Sequence, residues 1–362
     1  MTGRSQCVVI NGTLSKKLPV STGVPQGSIL GPLLYTIFTN ELPEVIHEQL
    51  LGHHEGQEQE WPAYHLEDED HGGLCCYADD STLTCTGYRA ADVSDKLTEK
   101  YKIIADFMRN NNLKLNDDKT HLLVMDTGQS RVRNEENRLV HIRTSTGIIS
   151  PSSSEKLLGC WVNNNMKWSE HIQNSKDNLM HSLTTRLAAL KIICKVSSFK
   201  KRKMIANGIF LSKVSYMIAL WGGCTMELKR SLQIIQNKAA RVVTRLDWST
   251  SSEVLLHQIG WLSINQLVFY HSVLLIYKVK KNMHPKYIHN MFNWSYQYNT
   301  RQAESDLIRQ VKRPNLDISK SSFRWRAASQ YNQLPLNIRT SPGINIFKAR
   351  TKKWIMDHIS LY

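Results

Sequence analysis

Two adjacent carboxylates, Asp79 and Asp80, stand between two apolar runs at 74–76 and 83–85. The runs predict two short strands that meet at a turn and hold both carboxylates on a hairpin. Paired carboxylate oxygens suit Mg²⁺, which also binds substrate phosphates. Two such ions about 3.5–4 Å apart can stabilise the attacking and leaving oxygens of a phosphoryl transfer. Turns also favour Asp for local hydrogen bonding, so the pair by itself leaves a purely structural role open.

The charge of the chain is divided very unevenly. The net charge is +15, yet the segment from Leu18 to Tyr88 has no Lys or Arg and holds 12 Asp and Glu. Because residues 1–17 add three positive charges, residues 89–362 carry +24. A carboxylate-rich segment beside a basic body is expected of a metal-dependent enzyme that acts on phosphates, although a charged surface loop gives the same pattern.

Several classes of protein are disfavoured by composition. The chain has no uninterrupted run of about 20 apolar residues and no signal peptide at its N-terminus. Its seven Cys have no repeated spacing, which is typical of reduced thiols. We therefore expect an intracellular protein, nuclear or cytoplasmic, with a polyanionic partner and no membrane partner.

The elements that position the carboxylates follow from local patterns. Asn11-Gly12 between alternating residues predicts a hairpin. Helical spacing from Ser28 to Asn40 predicts a helix with Ser28 as N-cap, and a second amphipathic helix is predicted over 92–111. Apolar residues at 113–115 and 122–124 predict two further strands.

A polar stretch at 41–73 is too long for a structureless loop inside a compact domain, so we interpret it as an acidic insertion. It holds five of the 14 His, namely His47, His53, His54, His65 and His71, and it is followed by Cys75 and Cys76. Their spacing matches no standard zinc motif. A disordered acidic loop is favoured over a zinc site, which stays an alternative.

The second half of the chain is helical and basic in pattern. We predict helices at 171–196, 199–220, 226–246 and 264–281, and a last helix from Ile346 to His358. The expected division is a first domain at 1–170, a helical basic region at 171–281 and a mixed C-terminal region at 282–362.

Four segments in order resemble motifs B, C, D and E of the reverse transcriptases of non-LTR (LINE-type) retrotransposons, and jockey-like elements in particular. The segments are Gly23 to Tyr35, Tyr77-Ala78-Asp79-Asp80-Ser81-Thr82-Leu83, Leu113 to Thr120 and Lys156 to Cys160. The resemblance continues at 212–222 and 326–335 and covers nearly the whole chain. It implies an α+β fold: an incomplete right-hand polymerase palm at 1–170, then a mainly helical thumb and C-terminal region.

The resemblance implies roles for four residues of motifs C and D, with Asp79, Asp80 and Lys119 as catalytic residues and Tyr77 as a substrate contact. Asp79 and Asp80 would bind Mg²⁺ or Mn²⁺, and Tyr77 would lie beside the primer end. Lys119 matches the motif D lysine that assists the pyrophosphate leaving group. Alone, Lys119 would be interpreted as a solvated turn lysine.

Substrate contacts are implied in motifs B and E. Gln26 and Gly27 would lie against the template–nucleotide pair, where a side chain larger than glycine obstructs approach. Leu158 and Gly159 would help to position the primer. The implied partners are an RNA template, a DNA primer or their hybrid, and dNTP.

Two basic clusters are candidates for nucleic-acid contact. One is Lys200, Lys201, Arg202 and Lys203, and the other is Lys238, Arg241 and Arg245, whose spacing places them on one helix face. The alternative is an ordinary solvated helix face.

Motif A should precede motif B and supply another metal-binding Asp, but residues 1–23 contain neither Asp nor Glu. We therefore expect an N-terminally truncated fragment of an RNA-directed DNA polymerase with little or no activity by itself. The alternative is a non-catalytic nucleic-acid-binding remnant or a domesticated retroelement protein.

Overall fold

The structure is a computed structural model that describes residues 3–20, 23–24, 27–42, 45, 73–125, 140–292, 307–308 and 317–359. The described strands are β1 (Arg4–Gln6), β2 (Val9–Ile10), β3 (Thr13–Leu14), β4 (Leu18–Val20), β5 (Leu74–Tyr77), β6 (Asp80–Leu83), β7 (Leu122–Leu123), β8 (Ile142–Arg143), β9 (Ile148–Ile149), β10 (Pro151–Ser152), β11 (Ser154–Leu157) and β12 (Cys160–Asn163). They pair two by two, β7 with β10 in parallel and the others as antiparallel pairs β1–β4, β2–β3, β5–β6, β8–β9 and β11–β12.

Helices are concentrated after residue 178. They are α1 (Leu30–Phe38), α2 (Ala90–Asn110), α3 (Leu179–Ile193), α4 (Phe199–Ala206), α5 (Ser212–Ser215), α6 (Ile218–Trp221), α7 (Met226–Thr244), α8 (Ser252–Ile259), α9 (Ile264–Lys280), α10 (Lys286–Asn290), α11 (Asp317–Ser321), α12 (Phe323–Gln333), α13 (Leu336–Arg339) and α14 (Ile344–His358). This mixture of helices and small sheets agrees with the α+β class, while the assignment of a palm and a thumb stays a prediction.

The described residues form two compact units. The first unit contains 3–120, with the gaps given above, and 140–149. The second contains 121–125, 150–292, 307–308 and 317–359. Motifs B, C and D lie in the first unit and motif E lies in the second. The predicted division into 1–170, 171–281 and 282–362 concerns functional parts and stays a prediction.

The N-terminal hairpin is confirmed. Asn11 and Gly12 have φ of 50° and 83°, the left-handed conformations that a tight two-residue hairpin turn requires. Beyond Ser15, whose N–H donates to the Val8 carbonyl at 2.9 Å, the chain continues into the β1–β4 pair.

A small core holds the first unit together. Ile104, Phe107 and Met108 of α2 are buried with Leu42, and Leu74 and Leu83 pack against them. Burial along α2 follows the i, i+3, i+4 pattern, as the amphipathic spacing predicts. The first unit thus uses one long helix as the support for the β5–β6 hairpin.

The strand predicted at 113–115 is wrong, and the end of α2 explains why. Asn112 has a φ of 55°, and the Leu113 N–H donates to the Met108 carbonyl at 2.7 Å. This is the bonding of a helix C-terminal cap, so the backbone leaves the helix without joining a sheet. Leu113 and Leu115 still pack on the core.

The second unit has a larger core with α9 at its centre. Helix α9 begins with a capping box made by Ser263 and Gln266, and most of its residues are buried. Tyr277 of α9 stacks on Phe347 of α14, with ring centroids 4.1 Å apart. Trp221 and Tyr331, both fully buried, belong to the same core.

The single helix predicted over 199–220 is broken in the structure. A π-helical turn occupies Asn207–Leu211, and Met217 has a φ of 53°, which ends α5 and starts α6. The helices predicted from 226, from 264 and near the C-terminus are confirmed as α7, α9 and α14. Helices α8 and α12 are present without having been predicted.

The resemblance at 212–222 and 326–335 falls on segments that pack together. Arg326 of α12 donates to the Ala219 carbonyl at 2.5 Å and to Ser272 Oγ at 3.1 Å. Burial lowers the pKa of Arg326 to about 10. The motif at 326–335 therefore has a packing role in this fold.

No single described helix is long and apolar enough to cross a membrane, although the bent pair formed by α8 and α9 reaches that length and composition together.

Gly222 and Gly223 allow close packing in the second unit, and Gly223 gives a testable prediction. A Cβ at Gly223 would lie 2.2 Å from the Ser321 carbonyl oxygen. We expect Gly223→Ala to lower the free energy of unfolding by about 1–3 kcal/mol through overpacking. Urea unfolding measures this change. A Cβ at Gly208 meets nothing within 4 Å, so Gly208→Ala is the matched control and should be neutral or slightly stabilising. Equal effects of the two substitutions would contradict the prediction.

Candidate active site

The tip of the β5–β6 hairpin presents the two carboxylates. Tyr77 pairs with Asp80 across the hairpin, so Ala78 and Asp79 form a two-residue turn. Ala78 has a φ of 51°, a left-handed conformation that costs a non-glycine residue about 1–2 kcal/mol. Tyr77, Asp79 and Asp80 are all exposed. The predicted hairpin is confirmed, and its tip projects into solvent.

The other end of this hairpin is fixed. Leu74 and Leu83 are paired across the two strands, and both pack on the core of the first unit. Because side chains alternate along a strand, Tyr77 and Asp80 lie on the opposite face from the two leucines. An isolated two-stranded hairpin is only marginally stable in water. The leucine pair therefore stabilises the hairpin and directs Tyr77 and Asp80 away from the core.

Helix α1, which carries motif B, lies close to the carboxylates. Ser28 Oγ accepts a hydrogen bond from the Gly31 N–H at 3.0 Å, as expected of the predicted N-cap. Burial, then the negative charge of Asp79 and then Cys76, raise the pKa of Tyr35. The charge of Asp79 in motif C thus acts on Tyr35 in motif B.

The loop before α1 contains the predicted substrate contacts. Gly27 has a φ of 79° and is exposed. Any other residue would be strained in this conformation, which gives the glycine a backbone reason besides the predicted close approach of substrate. Gln26 lies outside the described residues, as do the five His of the acidic insertion.

The donor atoms at the hairpin tip fit a divalent metal ion in part. Asp79 and Asp80 offer the hard oxygens that Mg²⁺ and Mn²⁺ prefer. Among the residues that the structure describes, no group of three His, Cys, Asp or Glu is arranged to hold a metal ion. A two-ion site needs further oxygen ligands. Asp79 and Asp80 alone could therefore supply only part of the ligands of such a site.

Motif D forms a short 3₁₀ helix at Asp117–Lys119. Asp117 accepts hydrogen bonds from Thr146 Oγ1 and Tyr101 Oη, and these bonds lower the pKa of Asp117. Burial and the bond to Asp117 raise the pKa of Tyr101. The side chain of Lys119 is exposed. Asp117 therefore fixes the turn to α2, while Lys119 points away from the core.

Motif E is the turn of the β11–β12 hairpin. Leu158 and Gly159 have φ of 47° and 81°, so this is again a tight two-residue turn. Tyr216 Oη donates to the Leu158 carbonyl at 2.6 Å. Because Tyr216 follows α5 directly, this bond ties the turn to the helical part of the second unit.

Positive charges surround the motif E hairpin. Lys156 pairs with Asp177 at 2.9 Å, and Lys213 Nζ lies 5.8 Å from the centroid of the Tyr216 ring. Burial, then the charges of Arg186 and Lys156, lower the pKa of Lys213. Like charges repel one another here, so an anion at this point would relieve the repulsion.

The structure separates the predicted basic clusters into inward and outward side chains. Arg202 is buried and donates to the Val243 and Ser197 carbonyls at 2.7 Å each. Arg245 donates to the Cys194 and Lys195 carbonyls at 2.6 and 2.7 Å. It lies just past the end of α7 with a φ of 59°, so the prediction that it continues one helix face with Lys238 and Arg241 is wrong.

The outward members of these clusters are lysines. Lys200, Lys201 and Lys238 are exposed, and Lys203 is half-buried. The sequence did not single out Tyr35, whose pKa responds to Asp79. It also did not single out Tyr216, which binds the motif E turn, or Lys213 beside it. Only their positions inside segments that resemble the family could have indicated them.

Comparisons with known proteins show which family the sequence resembles. Residues 2–162 match the family model described as reverse transcriptase (RNA-dependent DNA polymerase). The chain is 24% identical over 254 residues to the "Probable RNA-directed DNA polymerase from transposon X-element" of Drosophila melanogaster, covering 70% of this chain and 25% of that protein. It is 23% identical over 247 residues to the "RNA-directed DNA polymerase from mobile element jockey" of the same organism, covering 67% and 24%.

A second jockey protein, from Drosophila funebris, is 24% identical over 254 residues, which cover 68% of this chain and 24% of that protein. The matches thus span about a quarter of the length of these curated relatives. No solved structure matches the chain.

A buried histidine behind motif E gives a pH prediction. His171 Nδ1 accepts the Trp161 N–H at 3.4 Å. Burial, then Lys213 and Lys156, lower the pKa of His171 to about 4. The unfolded chain binds this proton near pH 6.5, so protonation favours unfolding. We expect the contribution of His171 to the free energy of unfolding to be constant above about pH 7. It should fall, by at most about 3 kcal/mol from this residue, between about pH 6.5 and 4.

His171→Gln removes this titration. Urea unfolding at pH 7, 5 and 4 should show a smaller loss of stability for the variant than for the unmodified chain. His257, which is exposed, provides the control, and His257→Gln should keep the full loss. Identical pH profiles for His171→Gln and the unmodified chain would refute the assignment.

Proposed function

We propose, on the premise that this chain is related to the reverse transcriptases of non-LTR (LINE-type) retrotransposons, that it forms part of an RNA-directed DNA polymerase. It would act on an RNA template, a DNA primer or their hybrid, and dNTP. The first unit would supply motifs B, C and D of the catalytic site. The second unit would supply the motif E turn and a basic helical surface.

The observation that carries this proposal is the tip of the β5–β6 hairpin. It exposes Asp79 and Asp80 together on one turn, and Leu74 and Leu83 fix the other end of the hairpin on the core of the first unit. In the proposed site both carboxylates bind Mg²⁺ or Mn²⁺, and the metal would neutralise charge on the transferred phosphate. The exposed Tyr77 would lie beside the primer end.

The remaining motif residues take supporting parts in the proposal. Gln26 and Gly27 would contact the template–nucleotide pair. The exposed Lys119 would donate to the leaving pyrophosphate. Leu158 and Gly159 would position the primer, and the Tyr216 bond to the Leu158 carbonyl would hold that turn in place.

The proposed metal site needs a further carboxylate. Residues 1–23 hold no Asp or Glu, and the described residues offer no third ligand beside the pair. We infer that another polypeptide segment completes the site. Until it does so, the two carboxylates repel each other and bind the metal ions weakly.

A second candidate function is nucleic-acid binding without catalysis, as in a retroelement remnant or a domesticated protein. Residues 171–281 contain 17 Lys and Arg against four Asp and Glu. This excess favours a phosphate backbone as the partner of the second unit. The lysines with exposed side chains, rather than Arg202 and Arg245, would make most of these contacts.

Primer extension tests the catalytic proposal. With an oligo(dT) primer on poly(A) and Mg²⁺ or Mn²⁺, we expect little or no synthesis by the 362-residue chain. Fusion to the upstream polymerase segment of a jockey relative should produce synthesis. Asp79→Ala should then lower the rate by more than about 100-fold, since a lost metal ligand removes several kcal/mol of stabilisation.

Two results would contradict this scheme. Processive synthesis by the chain alone, abolished by Asp79→Ala, would show that no further segment is needed. Synthesis by the fusion that survives Asp79→Ala would show that the carboxylate pair is not the catalytic site. Asp118→Ala, which removes an exposed carboxylate of motif D, is the control and should keep most of the activity.

The salt dependence of hybrid binding tests the second function. Each phosphate neutralised on a duplex adds about −0.9 to the slope of log affinity against log salt. We expect Lys200→Gln combined with Lys201→Gln to reduce that slope by up to about 2. The same change at Lys16 and Lys17, which are exposed in the first unit, should leave the slope unchanged. A flat slope for the unmodified chain would exclude phosphate contacts.

A further inference from the structure

Trp248 is a large aromatic residue that the structure holds in solvent. Its side chain is 84% exposed, on the loop between α7 and α8. The loop is well ordered by its own hydrogen bonds. Asp247 Oδ1 accepts from the Ser249 N–H at 2.9 Å and from Ser249 Oγ at 2.8 Å, and the Thr250 N–H donates to the Asp247 carbonyl at 3.1 Å. These bonds therefore fix the backbone before and after Trp248 and leave its indole exposed.

Arg241 supports this indole. Its guanidinium carbon lies 5.9 Å from the centroid of the Trp248 ring, a cation–π distance. The same guanidinium donates through Nη2 to the Thr250 carbonyl at 3.2 Å, which connects α7 to the loop. The indole is thus oriented before any ligand arrives, while most of its surface stays accessible.

A basic cavity that is open to solvent lies near the C-terminal end of α7. Its volume is about 330 Å³, and it is lined by Lys191, Cys194, Lys195, Val242 and Arg245. Within residues 140–292, neither Lys191 nor Lys195 forms an ion pair with a carboxylate. Val242 adjoins Arg241 in sequence, so the cavity and the indole belong to the same end of α7.

This combination matches the chemistry of unpaired nucleotides. Single strands are bound by aromatic rings on which bases stack and by cations that follow the phosphates. Trp and Arg are also enriched at protein–protein interfaces, but lysine is depleted there, so Lys191 and Lys195 favour a polyanion over a protein as the partner. The surrounding region also carries 17 Lys and Arg against four Asp and Glu.

We propose that Trp248, supported by Arg241, is a stacking site for a base of single-stranded RNA or DNA, with the cavity at Lys191 and Lys195 taking the adjacent phosphate. The inference rests on nucleic-acid binding by the second unit, as proposed above. It adds a base contact, whereas the lysine clusters contact only the backbone.

The test compares two ligands of equal length, a single-stranded oligonucleotide and an abasic sugar–phosphate strand. Trp248→Ala should weaken binding of the base-containing strand by about five- to 100-fold, the range seen when a stacking ring is removed. It should leave binding of the abasic strand unchanged. Trp248→Phe keeps an aromatic face and should retain most of the affinity. Fluorescence anisotropy with both strands at one salt concentration measures these differences.

The outcomes separate this inference from the proposed function. If the unmodified chain binds neither strand, nucleic-acid binding itself fails. If it binds both strands and Trp248→Ala changes neither affinity, or both equally, the stacking site is refuted while phosphate binding stands. A change in sedimentation on Trp248→Ala, with both affinities intact, would show that the indole meets a second protein copy and would likewise overturn the inference. Because the side chain is 84% exposed, Trp248→Ala should keep its unfolding midpoint; if the midpoint falls, Trp248→Gln replaces it as the non-aromatic variant and must show the same selective loss.

Discussion

The repulsion between Asp79 and Asp80 constrains what can surround the hairpin tip. Two negative charges on one turn are tolerated because the tip is exposed and water screens them. No Lys or Arg between 18 and 88 is available to neutralise them locally. The pair therefore keeps its capacity to attract cations, and the metal ions of the proposed reaction are the partners that it lacks.

The two turns that carry proposed site residues, at 78–79 and 158–159, both belong to two-stranded hairpins that need support from the rest of their unit. A two-stranded sheet is a weak platform in water, yet each turn must present groups at a fixed place. In the first unit, Leu74 and Leu83 fix the far end of the hairpin on α2. In the second, Tyr216 binds the turn itself through the Leu158 carbonyl. The free tip suits a site that has to admit metal and substrate, while the tied tip suits one that only positions a strand.

Local signals predicted the parts of the fold that depend on local physics. Asn11-Gly12 and the 78–79 turn are hairpins because neighbouring residues decide their geometry, and the spacing along α2 and α9 decides which face is buried. The failures involve distant partners. The segment 113–115 looked like a strand, but the capping of α2 uses the Leu113 N–H. The helix expected over 199–220 breaks at Met217, beside the tyrosine that reaches across the fold to Leu158.

The charge pattern predicted a nucleic-acid surface, but it did not predict which basic side chains face solvent. Lysine and arginine are alike in a charge count, but their hydration and geometry differ. The arginine fork can satisfy several backbone carbonyls at helix ends, and Arg202 and Arg245 are used in this way. Lys200, Lys201 and Lys238, with a compact and strongly hydrated charge, remain exposed. Arg241 is the intermediate case. Its Nη2 donates to the Thr250 carbonyl, and its guanidinium lies over the exposed Trp248 ring. In the proposed function, arginine serves the architecture and the exposed lysines contact phosphates. Trp248, held in solvent beside Arg241, would then add the contact to a base.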